Sequence, residues 1–401
     1  MHPKIKYTLY LLLLSLVWFA FFSCVLQFSN KTFSLNGDEG SYFNAAQNFY
    51  TSFKIDDSRP IVISAIFSVP FWFSNDISTI FNFVLTINML CWLATILLIF
   101  NVLNNFLSDK KAFFMACIFM FCSGNVALLF KFLSETTFVF FIVLSIYFIQ
   151  KHFQTTQSKF LNLAITSLVL SSLIKPLAVF LLLIVIAFHL KKSKQIILSL
   201  YFIPVLISFS LLFYQMKTLE KQFGNFTISY IDSFTYYNYL GTRAHCLQNN
   251  IAFKQCDNER FRYFCALSNQ QQRKVANQDF VNQIKNNSIF LAQAFAFNII
   301  TNSSKASVAI SDATTKNQNS KLFFKALSKI QNIILTIIGL IFCLKLFYFW
   351  KTNHEYQLIL ASFFVTIFLL SGISSDQGDR FHTVLFPIVV LMLGAFIRKK
   401  L

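Results

Sequence analysis

Long apolar runs alternate with short basic stretches along most of the chain. The first covers residues 7–26; others follow at about 80–100, 112–130, 137–149, 160–174, 176–190, 196–213, 330–350, 357–373 and 383–397. An upright helix needs about 20 apolar residues to cross a bilayer. The pattern therefore predicts an all-α polytopic membrane protein with about ten transmembrane helices. The runs at 137–149, 160–174 and 176–190 are short for that task and need help from their flanks or from local bilayer thinning. The first run follows Lys4 and Lys6 and lacks a small-residue cleavage site. It reads as a retained signal anchor, not a removed signal peptide.

Two intervals break the rhythm. Residues 27–79 contain "NGDEGSYFNAAQNFY", in which Tyr42, Ala45, Ala46 and Phe49 form one helical stripe. The same interval ends in "RPIVISAIFSVPFWF", apolar but punctuated by Pro60 and Pro70. That segment predicts a helix lying in the membrane interface. Residues 214–329 are rich in Asn, Gln, Ser and Lys and predict a mostly helical insertion. The expected organisation is an N-terminal membrane module (1–213), the insertion (214–329) and C-terminal transmembrane helices (330–401), without internal repeats.

Composition agrees: 56% hydrophobic, only 12% charged, against roughly a quarter charged in soluble proteins. A net charge of +18 raises the question of nucleic acid. The placement of the charges excludes it. With a cytoplasmic N-terminus, Lys4, Lys6, Lys110, Lys111, Lys151, Lys159, Lys191, Lys192, Lys194, Lys351, Arg398, Lys399 and Lys400 all fall inside. The short outer loops hold only Lys131, Lys175 and Arg380. This is the positive-inside bias, and it puts both termini in the cytoplasm. Of the acids, only Asp109 and Glu355 fall inside. The acidic side is the outer one, which suggests a working face there, as in a bacterial inner membrane protein.

Eight cysteines change little. Cys24, Cys91, Cys117, Cys122 and Cys343 sit in apolar runs as packing residues. Cys246, Cys256 and Cys265 share the insertion and allow one disulfide with one thiol left over. No C-x-x-C pair exists, so no zinc site is expected.

Candidate chemistry lies in the outer loops. Asp38 and Glu39 stand where a carboxylate loses hydration, which raises its pKa toward that of a general base. They equally suit the N-terminus of a helix. Arg59 suits a phosphate at headgroup depth, or a plain lipid anchor. Glu135 stands four residues after Lys131, a spacing that also allows a local ion pair. Lys175, before Pro176, departs from the positive-inside trend. Arg380 and His382 open the last apolar run, near Asp376 and Asp379.

These segments resemble the GT-C superfamily of polyprenyl-phosphate-sugar glycosyltransferases, nearest to the protein O-mannosyltransferase and lipid A aminoarabinose transferase branches. The resemblance rests on "GDEGSYFNAAQNFY…SRPIVISAIF", on Glu135, on Lys175-Pro176 and on "DRFHTVLFPIVV". It spans residues 7–190 and, loosely, 355–397. It departs from the family where Ile61 follows Pro60 in place of a second proline. The resemblance implies transfer of a hexosyl or pentosyl unit from a polyprenyl-phosphate sugar to a hydroxyl acceptor on the extracytoplasmic face, with inversion. Asp38 would be the base, with Glu39 beside it. Glu135 would orient base or acceptor. Arg59 would contact the donor phosphate, with Tyr42, Lys175, Arg380 and His382 as further substrate contacts. Membrane lipid is the expected medium, and neither cofactor nor metal is implied.

Two other functions fit parts of the pattern. A transporter or flippase for a lipid-linked saccharide would carry breaks or ionisable residues at mid-membrane, where only Gly124-Asn125 and Lys345 qualify. A polysaccharide polymerase or ligase would use a large basic outer loop, and the insertion holds Arg243, His245, Arg260, Arg262 and Arg273. A purely structural role leaves the outer acids unexplained.

Overall fold

The structure, a computed structural model, describes residues 3–28, 35, 37–190, 197, 199–349, 355–375 and 377–397; the side chains of 254–258 are not among them. Lys191, Lys192, Lys194, Lys351, Asp376, the terminal Arg398, Lys399 and Lys400, and the side chains of Cys256 and Asp257 lie outside the described residues.

Each apolar run becomes a helix or a broken pair of helices. In chain order these are α1 (Pro3–Leu26), α4 (Ile77–Leu103), α5 (Asp109–Met120) with α6 (Ser123–Leu129), α7 (Glu135–Thr155), α8 (Ser158–Ser172), α9 (Ala178–His189), α10 (Phe202–Phe223), α17 (Gln318–Tyr348), α18 (Glu355–Ser371) and α19 (Leu385–Ile397). Between α1 and α4 stand α2 (Gly37–Ser52) and α3 (Ile61–Ser68). Five helices, α1, α4, α7, α10 and α17, are long and apolar enough to cross a membrane, and the bent α5–α6 pair makes six. The rest are shorter. Among the described residues there are ten apolar helical segments, of which up to six are long enough to cross a bilayer on their own.

The α5–α6 bend of 61° falls at Phe121–Cys122, just before Gly124. A broken helix in a membrane must satisfy its freed backbone groups. Gln331 of α17 does so: its Oε1 accepts from the Ser123 N–H at 2.9 Å, and its Nε2 donates to the Phe121 carbonyl at 2.9 Å. Asn88 of α4 closes the other end of α6, donating to the Leu129 and Lys131 carbonyls at 3.1 Å each.

α3 is a short helix in the segment expected to lie in the membrane interface. Pro60 presets its entry, and the helix runs through a 3₁₀ turn to Trp72. It docks on the end of α8 through the Val62 N–H to Leu173 carbonyl bond of 3.1 Å.

The insertion is helical and begins later than its polar composition suggests. α10 continues to Phe223 and α17 begins at Gln318. Between them lie α11 (Ile231–Thr235), a π-helical turn (Tyr236–Gly241), α12 (Thr242–Gln248), α13 (Phe253–Cys265), α14 (Asn269–Asn286), α15 (Ser288–Ser304) and α16 (Val308–Ser311). Two small apolar clusters hold these together, Tyr237–Phe264–Ala276 and Leu240–Ala244–Ala294. Cys246 is disulfide-bonded, while Cys265 keeps its thiol.

Three buried asparagines fasten the insertion to the membrane helices. Asn298 donates to the Gly372 carbonyl at 2.9 Å. Asn302 donates to the carbonyls of Ser371 and Ser374, both at 2.9 Å. Asn332 of α17 donates back to the carbonyls of Asn302 and Lys305, at 2.8 and 3.0 Å.

Candidate functional site

Four loops converge on one cavity of about 700 Å³ between the membrane helices and the insertion. Its polar floor comes from Asp38, Tyr42, Arg59, Glu135, Lys175 and Arg380. The rest of the wall is largely apolar and includes Phe138, Ile174, Phe180, Met216, Ile367 and Leu370.

Local structure aims each of these groups. Gly37, the first residue of α2, takes φ +63°, a conformation that favours glycine. Asp38 and Glu39 thus occupy the first turn, where the helix dipole favours carboxylates. Asp56 forms a tight turn, accepting from the N–H groups of Ser58 and Arg59 at 2.9 and 2.8 Å. That turn delivers Arg59, whose guanidinium lies 4.3 Å from the Tyr42 ring and donates to Ser41 Oγ at 3.1 Å. Tyr42 is fixed in turn by a 2.7 Å hydrogen bond with Ser134 Oγ.

The charges interlock. Asp38 Oδ1 pairs with Arg59 Nη2 at 2.8 Å and its Oδ2 with Arg380 Nη1 at 2.7 Å. Arg380 also grips Glu135 Oε1 through Nε at 2.8 Å and Nη2 at 2.7 Å. Lys175 Nζ reaches the same oxygen at 3.0 Å. Glu135 Oε2 has no hydrogen-bond partner among the described residues. Within this cluster three cations therefore face two carboxylates, a surplus of one positive charge; Asp232, which also lines the cavity, pairs with Arg273 at 3.4 Å.

The electrostatics correct one expectation. Burial does push the Asp38 carboxyl up and is the largest single influence on it. The adjacent Arg380 and Arg59 together outweigh burial and hold it at about 2. In this state Asp38 is firmly ionised rather than poised near neutrality. Burial likewise opposes the charge on Arg380, yet Glu135 and Asp38 raise its affinity for the proton.

Two residues singled out from the sequence lie off the cavity. Glu39 turns into the protein, where its Oε1 pairs with Lys131 Nζ at 3.0 Å and its Oε2 accepts from the Phe132 N–H at 3.0 Å. Lys131 also meets Asp312 at 2.6 Å. The Lys131–Glu135 pair allowed by sequence spacing is replaced by these longer-range partners, because α6 ends at Leu129 and α7 begins only at Glu135, so the two residues share no helix. His382 is fully buried between Thr336 Oγ1 (2.9 Å) and Ser371 Oγ (3.4 Å), and burial lowers it to about 4. It does not line the cavity.

Other participants escaped notice in the sequence. Gln377 accepts from Arg380 Nη1 at 2.8 Å and donates to the Tyr239 hydroxyl at 3.2 Å. Tyr236, Tyr239, Asn277 and Phe280 of the insertion close the cavity from above. The only sequence signal for them is aromatic density in "SFTYYNYLG". Among the described residues, no group of three or more His, Cys, Asp or Glu is arranged to hold a metal ion. Chemically, the site can seat an anion on fixed guanidinium and ammonium groups beside an ionised carboxylate, with room for an apolar tail.

No protein-family model matches the chain, and no curated protein matches it. Among solved structures, it is similar to the crystal structure of ArnT from Cupriavidus metallidurans bound to undecaprenyl phosphate. The match has 12% identity and a TM-score of 0.46, and it covers 97% of this chain and 77% of that one. A likeness at that level carries no residue-by-residue correspondence.

Proposed function

We propose that the protein is a membrane glycosyltransferase that moves a sugar from a polyprenyl-phosphate donor to an acceptor hydroxyl at the extracytoplasmic face. The observation that carries this reading is the sharing of Asp38 between Arg59 and Arg380 at the floor of an apolar cavity. The donor is a phosphodiester with one negative charge on a long apolar chain. A site with one surplus cation and apolar walls matches both properties.

In the proposed reaction the donor phosphate engages Arg59, Arg380 and Lys175. It competes with Asp38 for the two guanidiniums, so the carboxylate becomes more basic as the donor settles. The acceptor oxygen attacks the anomeric carbon from the face opposite the phosphate. The carbon–oxygen bond to phosphate breaks, and its electron pair leaves with the lipid phosphate, held by the preorganised cations. The hydroxyl proton passes to Asp38. The transition state is oxocarbenium-like, so proton transfer occurs late, when the attacking hydroxyl has become acidic.

The competing readings draw less support. The α5–α6 interruption is sealed by Gln331 rather than left open for a transported ligand. The basic residues of the insertion that suggested a polymerase do not line the cavity. Arg260 pairs with Asp279 at 3.0 Å, Arg273 with Asp232 at 3.4 Å, and Arg243 covers the Phe253 ring at 4.7 Å.

The test compares Asp38→Asn and Arg59→Ala with the parent in transfer from polyprenyl-phosphate sugars. Asp38→Asn is expected to lower kcat by roughly 10²–10⁴, the range for losing a general base. Arg59→Ala should mainly raise KM for the donor. Parent-level turnover in Asp38→Asn would remove Asp38 as the base.

A further inference from the structure

The cavity's two halves are built differently. The floor is charged and belongs to the membrane helices. The roof is aromatic and belongs to the insertion, where Tyr236 and Tyr239 project from the π-helical turn and Asn277 and Phe280 from α14. A π-helical turn is a costly local geometry, found most often at functional sites. Here several groups maintain it. Arg260 Nε donates to Thr242 Oγ1 at 2.9 Å, and that hydroxyl donates to the Tyr237 carbonyl at 2.8 Å. The same arginine stacks on Tyr237 at 4.1 Å and pairs with Asp279, whose other oxygen accepts from the Tyr236 hydroxyl at 3.1 Å. Gly241 permits the approach, since a Cβ there would lie 2.7 Å from Asp279 Oδ2.

These contacts fix the backbone and one hydroxyl of the roof while leaving the rings of Tyr236 and Tyr239 only half-buried, facing the cavity. The roof is also wired to the floor. The Tyr239 hydroxyl accepts from Gln377, which holds Arg380, which holds Asp38. Rigid aromatic rings flanked by an amide and a hydroxyl suit one ligand chemistry in particular. A sugar offers C–H faces to stack on the rings and hydroxyls for the polar groups.

We infer that the roof formed by Tyr236, Tyr239, Asn277 and Gln377 is a saccharide subsite that seats a sugar ring above the charged floor. The inference rests on the proposed transfer reaction and assigns its sugar recognition to the insertion. The ring belongs either to the donor or to a glycan acceptor, and the two sources are separable by experiment.

The full-length protein in lipid nanodiscs is titrated with undecaprenyl phosphate, with its glucose, mannose and arabinose esters, and with the methyl glycosides of the same sugars. Tyr239→Ala and Asn277→Ala are titrated alongside, with Tyr239→Phe as a variant that keeps the ring, and thermal melts verify folding. If the donor's sugar sits in the roof, one ester binds roughly tenfold tighter than the bare carrier. Tyr239→Ala then erases that increment while Tyr239→Phe keeps most of it, and any loss of bare-carrier binding transmitted through Gln377 and Arg380 is shared by both variants. If the acceptor's sugar sits there, a methyl glycoside binds and Tyr239→Ala abolishes it, while all carrier lipids bind alike. Folded variants that alter neither the ester increment nor glycoside binding overturn the subsite, with the transfer reading intact. Failure of the parent to bind the bare carrier overturns the transfer reading and the subsite with it.

Discussion

Asp38 has two guanidiniums on one carboxylate, and this sets its response to pH. Its acidity is raised in the resting protein, with the carboxyl held at about 2. A group whose pKa falls on folding stabilises the protein above its ordinary pKa, and that share is lost only as pH falls through the folded value. Mild acid therefore leaves the pair intact. If the proposed transfer holds, the donor phosphate draws Arg59 and Arg380 away from Asp38 and raises its pKa in the complex. The acid limb of kcat, which reports the complex, should then lie at higher pH than that of kcat/KM, which reports the free protein. Coincident limbs in paired pH–rate profiles would argue against such competition. Lys131 supplies a second test. It is buried against Glu39, and Lys131→Met strands that carboxylate at a cost of about 3–5 kcal/mol. Adding Glu39→Gln should restore part of the lost melting temperature. The sequence made the Asp38–Glu39 pair visible but not the division between them. Successive helical residues point about 100° apart, so one carboxylate faces the cavity and its neighbour the core.

Elements explain why that cavity has a fixed floor. The loop carrying Asp379 and Arg380 lies against the start of α6, where a Cβ on Gly124 would overlap Asp379 Oδ2 at 1.9 Å. Gly124→Ala must displace the Asp379 carboxyl or the loop that carries it, and overpacking of this kind costs about 1–3 kcal/mol. We expect lower thermal stability and reduced transfer, although residue 124 touches no substrate. Gly124→Ala with Asp379→Ala removes the overlap and should melt above Gly124→Ala alone. A double variant no more stable than Gly124→Ala would show that the loop is placed by something else. At this scale much of the fold was legible, because apolar runs identify helices directly. The break in α5–α6 was less so: its position depends on Gln331, 210 residues beyond Phe121, which no local pattern announces. His382 shows the same limit. It is two residues from Arg380, yet tertiary packing turns it toward Thr336 and away from the cavity.

Across the whole molecule, α17 is the strut that joins membrane to insertion. At 31 residues it is about 46 Å long, beyond the roughly 30 Å hydrocarbon thickness. Its outer part carries Asn332, which joins Asn298 and Asn302 in fastening α15 to the end of α18. Sequence reading could not foresee this, since Asn298 and Asn302 in the insertion and Asn332 at the edge of an apolar run all look like solvent-facing residues until their carbonyl partners are known. The asparagine clamp has a mechanical corollary. α15, next in the chain to the roof-bearing α14, is bolted to the end of α18 near the loop that bears Arg380, which resists any lifting of the ceiling. On the proposed function, freight is then expected to pass sideways, by the flank where Phe180 and Phe226 stand half in the open. Hydrogen exchange should find the α15 amides as slow as those of α18, and the stretch around Phe226 faster than both. Asn302→Ala should unbolt the ceiling, speeding exchange along α15 while leaving the flank as it was.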